Sequence, residues 1–169
     1  MELEGVKDVQ PADENYEYFF TVMCSSCREI HPKTVSFNQI EEHDISGSKG
    51  TAHFVWRCGN CKKEHSASFI PSDPTPKSKS KSTSPIPYSA PNAQYAPLIA
   101  LDCRGLEFTE FHLSRGKWKC SAEESGTEFV IDWEELGREQ GEEGRWDDYD
   151  ESSGGPVGIS ELNSKIERA

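Results

Sequence analysis

The chain has 169 residues and a formal net charge of −12, with 34% apolar and 28% charged residues. Thirteen carboxylates and two arginines between Glu123 and Glu151 give that segment a net charge of −11, so the remainder is nearly neutral. This distribution argues against broad binding to a nucleic-acid backbone, and no stretch approaches the ~18 apolar residues of a membrane helix. The core is modest, and the chain could form one domain or two small ones stabilised by a metal.

The first fifteen residues are polar and are predicted to be mostly irregular. The opening decapeptide is acidic and lacks the apolar centre of a signal peptide. We therefore expect an intracellular protein, cytoplasmic with a nuclear location also open, that has no membrane partner. Reducing conditions in those compartments favour metal thiolates over disulfides.

Two strand–turn–strand units are predicted next, each built around a Cys-x-x-Cys turn. Residues 16–23 are rich in aromatic and β-branched side chains, which is typical of a strand, and they lead into Cys24 and Cys27. Residues 33–37 are predicted to return beside that strand. The second unit has Cys58 and Cys61 in its turn, and its strands are predicted at residues 51–57 and 65–70.

Residues 71–94 are rich in proline, serine and lysine, and this composition predicts an extended linker or insertion that buries almost nothing. β structure is predicted to resume afterwards, and the acidic stretch that follows is predicted to be mostly loop. The C-terminal apolar residues suit either a short strand or a helical turn. Three regions result: a metal-binding β subdomain at 1–70, the linker at 71–94 and a metal-free β subdomain at 95–169. The later strands are predicted at 96–101, 108–113, 117–121 and 127–133.

A weak internal repeat suggests that the two β subdomains are related. The tract around Cys103 resembles the first cysteine turn, and the tract around Cys120 resembles the second. Each would keep one cysteine of its pair, which predicts that metal is bound only in the first half.

The two cysteine pairs predict a metal site. Four thiolates from two such turns complete a tetrahedral shell, and this ligand set favours one Zn²⁺ ion. The predicted ligands are Cys24, Cys27, Cys58 and Cys61. A shell of four thiolates leaves no open position for a catalytic water, so a structural or metal-transfer role is favoured over hydrolysis.

Other interpretations of the polar residues are less favoured. A thiol oxidoreductase would place its Cys-x-x-Cys at the start of a helix, and neither pair precedes a convincing one. His65 could replace a ligand, but we predict a polar strand residue. The acidic run could bind calcium or a basic partner, although it lacks the ordered calcium-loop pattern and is predicted to be solvated. Within it, Trp146 and Tyr149 are predicted to anchor the loop to the core.

Six tracts occur in this order along the chain: CSSC, CGNC, LDCRGLEFTEF, ESGTEF, WDDYDE and VGISEL. Together they resemble the eukaryotic CXXC-motif-containing zinc-binding proteins. The matching tracts span most of residues 14–162. The resemblance implies an all-β fold of two related antiparallel subdomains, one zinc ion on the four cysteines and no established enzymatic activity. Relative to the family, an initial apolar strand is absent, which predicts an exposed sheet edge. Residues 73–86 look like an insertion.

We therefore predict a non-enzymatic zinc-binding protein whose structural ZnS₄ site supports binding to a protein partner. The alternative is a metal-handling protein that exchanges zinc or copper through the same cysteines. A nucleic-acid-binding zinc ribbon is disfavoured by the acidic charge balance.

Overall fold

A computed structural model describes residues 1–70, 85–140 and 145–168. About 45% of the chain is strand and 4% is helix, and the strands pair antiparallel, which confirms the predicted all-β class. In the described part, no helix is long and apolar enough to cross a membrane. The strands are β1 (Glu2–Glu4), β2 (Val6–Pro11), β3 (Tyr18–Cys24), β4 (Val35–Phe37), β5 (His43–Asp44), β6 (Thr51–Ala52), β7 (Phe54–Arg57), β8 (Glu64–Phe69), β9 (Leu101–Arg104), β10 (Leu106–Phe111), β11 (Lys117–Ala122), β12 (Glu128–Asp132), β13 (Trp146–Asp150) and β14 (Gly155–Ser160); helix α1 is Trp133–Gln140.

The chain forms two compact units, and each is assembled from three segments rather than from one continuous range. Unit 1 comprises the described parts of Met1–Tyr16, Pro85–Leu98 and Leu113–Ser164; unit 2 comprises those of Glu17–Ser84, Ile99–His112 and Lys165–Ala169. The predicted ranges were continuous. They differ from the observed units because antiparallel strands can pair across any sequence distance, which a local pattern does not reveal.

Unit 1 contains two three-stranded sheets, with strand orders β1-β14-β13 and β12-β11-β2. Its core includes Trp118, Ile131 and Ile159, which are all at most 1% exposed. The Trp118 indole N–H donates to the Tyr16 hydroxyl oxygen at 3.0 Å. That hydroxyl donates in turn to the Arg115 carbonyl oxygen at 2.5 Å, so the buried polar atoms of this pair are satisfied.

Unit 2 contains sheets with strand orders β10-β3-β4 and β7-β8-β9, and a two-stranded β5-β6 ribbon. Strand β3 alternates buried and half-buried residues along its whole length, because successive side chains of a strand point to opposite faces of the sheet. A cluster of phenylalanine rings fills the interior, with the Phe20 and Phe108 centroids 4.5 Å apart. Strands β3 and β7 end at the two cysteine turns.

The N-terminal segment was predicted to be irregular, and this is wrong. It forms β1 and β2, with Val6 and Val9 almost completely buried. Residues three apart do not share a face of a regular strand, so the pattern conceals the element. Asp8 has a φ of 54° and the β2–β11 register shifts nearby, so a bulge brings both valines to the same side.

Where the structure describes the predicted linker, one residue, Tyr88, is buried contrary to expectation. Residues 71–84 lie outside the described residues, but Tyr88 is 7% exposed and forms a β-bridge with Val9. The Tyr88 hydroxyl donates to the Gln94 carbonyl oxygen at 2.6 Å, and the Met1 carbonyl oxygen lies 2.9 Å away. An isolated tyrosine in a proline-rich tract gives no periodicity, so its role in the core could not be predicted.

The acidic segment contains more regular structure than predicted. Helix α1 begins after Asp132, whose side-chain oxygen accepts the Glu134 and Glu135 amides at 3.1 and 3.2 Å as an N-cap. Strand β13 follows, with Trp146 buried as predicted, but Tyr149 is 54% exposed and does not anchor to the core. The open choice at the C-terminus is resolved by β14, which is a strand.

Candidate metal centre

The first cysteine turn is a tight hairpin loop at the end of β3. The Arg28 amide donates to the Cys24 carbonyl oxygen at 2.8 Å, and the Cys24 amide donates to the Glu29 carbonyl oxygen at 2.9 Å. Arg28 has a φ of 62°, in the left-handed region that favours glycine. This backbone turns back within four residues and presents Cys24 and Cys27 on the same loop.

The second cysteine turn repeats this geometry at the end of β7. The Lys62 amide donates to the Cys58 carbonyl oxygen at 3.0 Å, and the Cys58 amide donates to the Lys63 carbonyl oxygen at 2.9 Å. Lys62 also has a φ of 62°. The two Cys-x-x-Cys sequences therefore adopt one backbone conformation.

The two turns bring the four cysteines together, which the sequence predicted. Cys24 Sγ lies 3.6 Å from Cys61 Sγ, and Cys27 Sγ lies 3.6 Å from Cys58 Sγ. The four sulfurs all lie within 4.8 Å of one another, and none forms a disulfide. A tetrahedron with Zn–S bonds of about 2.3 Å has sulfurs about 3.8 Å apart. The cluster therefore has the ligand chemistry and size that zinc requires.

The cysteines differ in their exposure. Cys24 and Cys58, the first residues of the two turns, are at most 1% exposed, whereas Cys27 and Cys61 are half-buried. A hydrogen bond from the Asn60 side chain, followed by the backbone at Glu29, lowers the pKa of Cys27 to about 6. The Lys63 backbone hydrogen bond opposes the change at Cys61, but burial and the neighbouring thiols raise the pKa of that cysteine to about 11. The two half-buried thiols therefore differ in how readily they ionise.

His65 belongs to this centre, although the sequence predicted only a polar strand residue. It is 6% exposed, and its Nε2 lies 3.1 Å from Cys24 Sγ. When Cys24 is a thiolate, the tautomer with hydrogen on Nε2 donates to that sulfur. His65 is therefore a neighbour of the cysteine cluster that orients one thiolate, and it leaves the four-sulfur shell complete.

Gly105 makes room for the His65 ring. Its φ is +81°, and a Cβ on this residue would overlap the ring, with Cε1 at 2.9 Å. The Gly105 carbonyl oxygen also accepts the Ser25 amide at 3.1 Å, which ties this strand connection to the first turn. The sequence analysis considered His65, but it missed Gly105 because the β9–β10 connection is far from the cysteines in the chain.

The assignment of Cys103 and Cys120 to remnant cysteine turns is wrong. Cys103 lies within β9 of unit 2, the unit that holds the four cysteines, and is exposed. Cys120 lies within β11 of unit 1, where burial raises its pKa to about 12. Neither occupies a turn. In the described residues, the four-cysteine group is the metal-binding constellation that side-chain geometry identifies, and the acidic run forms none.

Comparisons with known proteins also indicate a zinc-binding family. The family model described as "CXXC motif containing zinc binding protein, eukaryotic" matches residues 1–167. A UPF0587 protein of Schizosaccharomyces pombe is 36% identical, covering 99% of this chain and 94% of the relative. The CXXC motif containing zinc binding protein of Homo sapiens is 27% identical, covering 97% and 91%.

Solved structures show the same architecture. The crystal structure of C1orf123 superposes with a TM-score of 0.76 at 26% identity, covering 98% of this chain and 94% of the other. A hypothetical protein from Plasmodium falciparum has a TM-score of 0.69 at 23% identity, covering 94% and 89%, and supports the fold alone. Together with the four-cysteine cluster, the match over nearly the whole length shows that the chain belongs to the eukaryotic family of CXXC motif containing zinc binding proteins.

Proposed function

We propose that Cys24, Cys27, Cys58 and Cys61 bind one Zn²⁺ ion and that this ion has a structural, non-enzymatic role. The observation that carries the proposal is the convergence of all four sulfurs within 4.8 Å. Four protein thiolates complete a tetrahedral shell, so no position remains for a water or a substrate. The acidic run and the histidines form no second metal-binding group in the described residues.

The role of the ion follows from the two turns that carry its ligands. Zinc joins the turn after β3 to the turn after β7, two hairpins that have no hydrogen-bonded strand pairing with each other. Structural zinc sites contribute about 10–16 kcal/mol of apparent binding free energy at neutral pH, which is enough to decide whether a small β unit folds. We therefore expect unit 2 to depend on zinc.

Metal analysis of the purified protein tests the assignment, with one zinc per chain as the expected result. Cys58→Ser should abolish zinc binding and unfold unit 2. Cys103→Ser is the matched control, because this cysteine is in the same unit but outside the cluster. A metal-free protein with an unchanged fold and melting temperature would contradict the structural role.

We further propose that unit 2, once zinc is bound, presents a folded surface to a protein partner inside the cell. The exposed Ile30 lies just after the first turn and is 54% exposed, and the half-buried Trp56 precedes the second. Affinity capture with the wild-type chain and with Cys58→Ser tests this, using Ile30→Ser as a folded surface variant. Partners retained by the wild type and lost with both variants would support it; equal capture by all three proteins would contradict it.

Metal exchange is the second candidate, because Cys27 and Cys61 are only half-buried. An incoming ligand could reach these sulfurs before the buried pair. Competition with a chromophoric chelator separates the two functions. Rapid metal loss with unit 2 still folded favours exchange of zinc or copper, whereas slow loss coupled to unfolding favours the structural role.

A further inference from the structure

The turns that carry the cysteines have two counterparts in unit 1. In the turn between β11 and β12, the Gly126 amide donates to the Ala122 carbonyl oxygen at 3.0 Å. In the turn between β13 and β14, the Gly154 amide donates to the Asp150 carbonyl oxygen at 2.8 Å. These bonds join the fifth residue to the first, as they do in both cysteine turns. The first and sixth residues are paired across every turn: Cys24–Glu29, Cys58–Lys63, Ala122–Thr127 and Asp150–Gly155.

The fifth residue of all four turns has a left-handed backbone. In unit 2 this residue is Arg28 or Lys62, each with a φ of 62°, and in unit 1 it is Gly126 or Gly154, with φ of 72° and 73°. Length, closing hydrogen bond, strand pairing and the left-handed position all agree. Each unit therefore contains two copies of one turn.

This equivalence identifies which residues of unit 1 stand where the cysteines stand in unit 2. The first residue of every turn is at most 1% exposed. The first and fourth residues are Cys24 and Cys27, Cys58 and Cys61, Ala122 and Ser125, and Asp150 and Ser153. In unit 1 the four sulfur positions are thus occupied by a methyl group, two hydroxyls and a carboxylate.

The contact between the turns is also equivalent. The Ser125 hydroxyl donates to Asp150 Oδ2 at 2.6 Å, which joins the fourth residue of one turn to the first of the other. Cys27 and Cys58 have the same relation in unit 2, at 3.6 Å. The Ser153 hydroxyl donates to Asp150 Oδ2 at 2.6 Å, completing a group that we call the oxygen cluster: Ser125, Asp150 and Ser153.

We propose that the oxygen cluster is a metal-free crosslink that replaces, at the equivalent place in unit 1, the zinc site of unit 2. A buried carboxylate is stable only when hydrogen bonds replace its hydration. The Ser152 amide supplies a further bond, to Asp150 Oδ1 at 3.1 Å, so both carboxylate oxygens are satisfied inside the protein. These hydrogen bonds, that from Ser125 first, lower the pKa of Asp150.

A regulatory consequence follows for the whole chain. Loss of zinc opens unit 2 while unit 1 keeps its fold, so zinc supply controls one half of the molecule and leaves the other as a permanent scaffold. The dependence of unit 2 on zinc rests on the function proposed above, whereas the role of the oxygen cluster does not. The two claims therefore need separate measurements.

Backbone amide exchange, measured by NMR on the full chain, tests the first claim. The amides that close the four turns are those of Arg28, Lys62, Gly126 and Gly154. Addition of a chelator should accelerate exchange at Arg28 and Lys62 by about tenfold or more and leave the two glycine amides unchanged. Equal acceleration at all four amides would overturn the proposal that the effect of zinc removal is confined to unit 2. No acceleration anywhere would reject the structural role of zinc instead.

Asp150→Ala tests the crosslink in the zinc-bound chain. The amide of Gly126 is the critical reporter, because it belongs to the opposite turn, and it should exchange about tenfold faster or more. The exposed neighbour Glu151 provides the control variant Glu151→Ala. If Asp150→Ala unfolds the chain, Ser125→Ala provides the milder test. The reporter is then the amide of Gly154, which lies in the opposite turn. An unchanged rate at the opposite turn would overturn the proposal.

A grafted site tests the equivalence of the four turns directly. The variant combines Ala122→Cys, Ser125→Cys, Asp150→Cys and Ser153→Cys, and metal analysis should find two zinc ions per chain where the parent has one. In a background that also carries Cys58→Ser, the grafted site should retain one. A folded grafted chain with unchanged stoichiometry would contradict the equivalence. If the grafted chain does not fold, the exchange rates across the unit 1 turns decide the question.

Discussion

Unit 1 and unit 2 join two copies of the same turn by different chemistry. In unit 2 four sulfurs meet, and buried thiols are weak hydrogen-bonding groups that contribute little to one another without an ion. In unit 1 the Asp150 carboxylate meets its donors at 2.6 Å, so the crosslink is complete within the chain. The backbone turn therefore needs no metal. Under this proposal, the side chains at the first and fourth positions of the turn decide whether the unit needs a metal ion.

The left-handed position shows a second difference between the units. Unit 1 has glycine there, which adopts a positive φ without steric cost, whereas unit 2 has Arg28 and Lys62. A non-glycine residue in this conformation costs about 1–2 kcal/mol. Unit 2 thus carries strain in both turns, and the proposed zinc binding would offset it. This difference is confined to the turns, because unit 1 has left-handed non-glycine residues elsewhere: Asp8, Asn92, Ala93 and Glu161.

The largest expected effect comes from removing zinc. Structural zinc sites contribute about 10 kcal/mol or more, so under the proposed function chelation should unfold unit 2 and leave unit 1 intact. Tryptophan fluorescence measures this, since Trp56 lies in unit 2 while Trp118, Trp133 and Trp146 lie in unit 1. Trp56→Phe should abolish most of the change on chelation. A change that persists in this variant would show that unit 1 also responds to the metal.

Gly105→Ala should be the most damaging single methyl addition near the cysteine cluster. It places a side chain at a φ of +81° and against the His65 ring, so the contact with Cys24 must be disturbed. We expect a loss of about 3 kcal/mol in the free energy of unfolding of the zinc-bound protein, and faster zinc release. Gly59→Ala is the control, because nothing lies within 4 Å of its added Cβ. Equal effects of the two variants would show that the packing of His65 against Gly105 does not contribute to the stability of the cysteine cluster.

Acid should weaken unit 1 through Asp150. The pKa of this carboxyl is below its ordinary value of 3.8 in the folded protein, so the carboxylate stabilises unit 1 above that pH. This stabilisation is lost as the pH falls through the folded pKa. Denaturation of unit 1, followed between pH 5 and 2 by the exchange of the Gly126 amide, should show the loss. Asp150→Asn should remove this pH dependence, and Glu151→Gln should preserve it.

Ser125→Ala should have a smaller effect than full protonation of Asp150, because it removes only one of several hydrogen-bond donors to that carboxylate. A hydrogen bond to a charged group contributes about 1.5–3 kcal/mol, so a loss of roughly 2 kcal/mol is expected in the stability of unit 1. Denaturant unfolding monitored by the unit 1 tryptophans measures it. Glu124→Ala, in the same turn and exposed, serves as the control. A loss of zinc affinity in Ser125→Ala would contradict the proposal that the oxygen cluster and the zinc site act independently.

The sequence predicted the local features of both units better than their pairing. The aromatic and β-branched composition identified β3, and the convergence of the cysteines was predictable because each pair is contained in one short turn. Metal binding by these cysteines stays a prediction. The positions of β2 and Tyr88 were not predictable, since a bulge and a partner strand distant in sequence create their burial.

The oxygen cluster was concealed for a different reason. Serine and aspartate are common in exposed turns, so Ser125 and Asp150 have no distinctive spacing. The single cysteines suggested a repeat at the wrong residues, because Cys120 lies two positions before Ala122, the true counterpart of a first turn residue. Only the closing hydrogen bonds and the left-handed fifth residue align the four turns. Backbone conformation, rather than residue identity, carries the internal repeat.

The smallest expected effect concerns that left-handed residue. Gly126→Ala should destabilise unit 1 by about 1 kcal/mol, because alanine at a φ of 72° is strained although nothing lies within 4 Å of its Cβ. Gly137→Ala, within helix α1 and equally unobstructed, should instead stabilise by about 0.8 kcal/mol. Denaturant unfolding of both variants gives the difference directly. Stabilisation by Gly126→Ala would mean that this turn does not need the left-handed conformation, and its equivalence to the cysteine turns would fail.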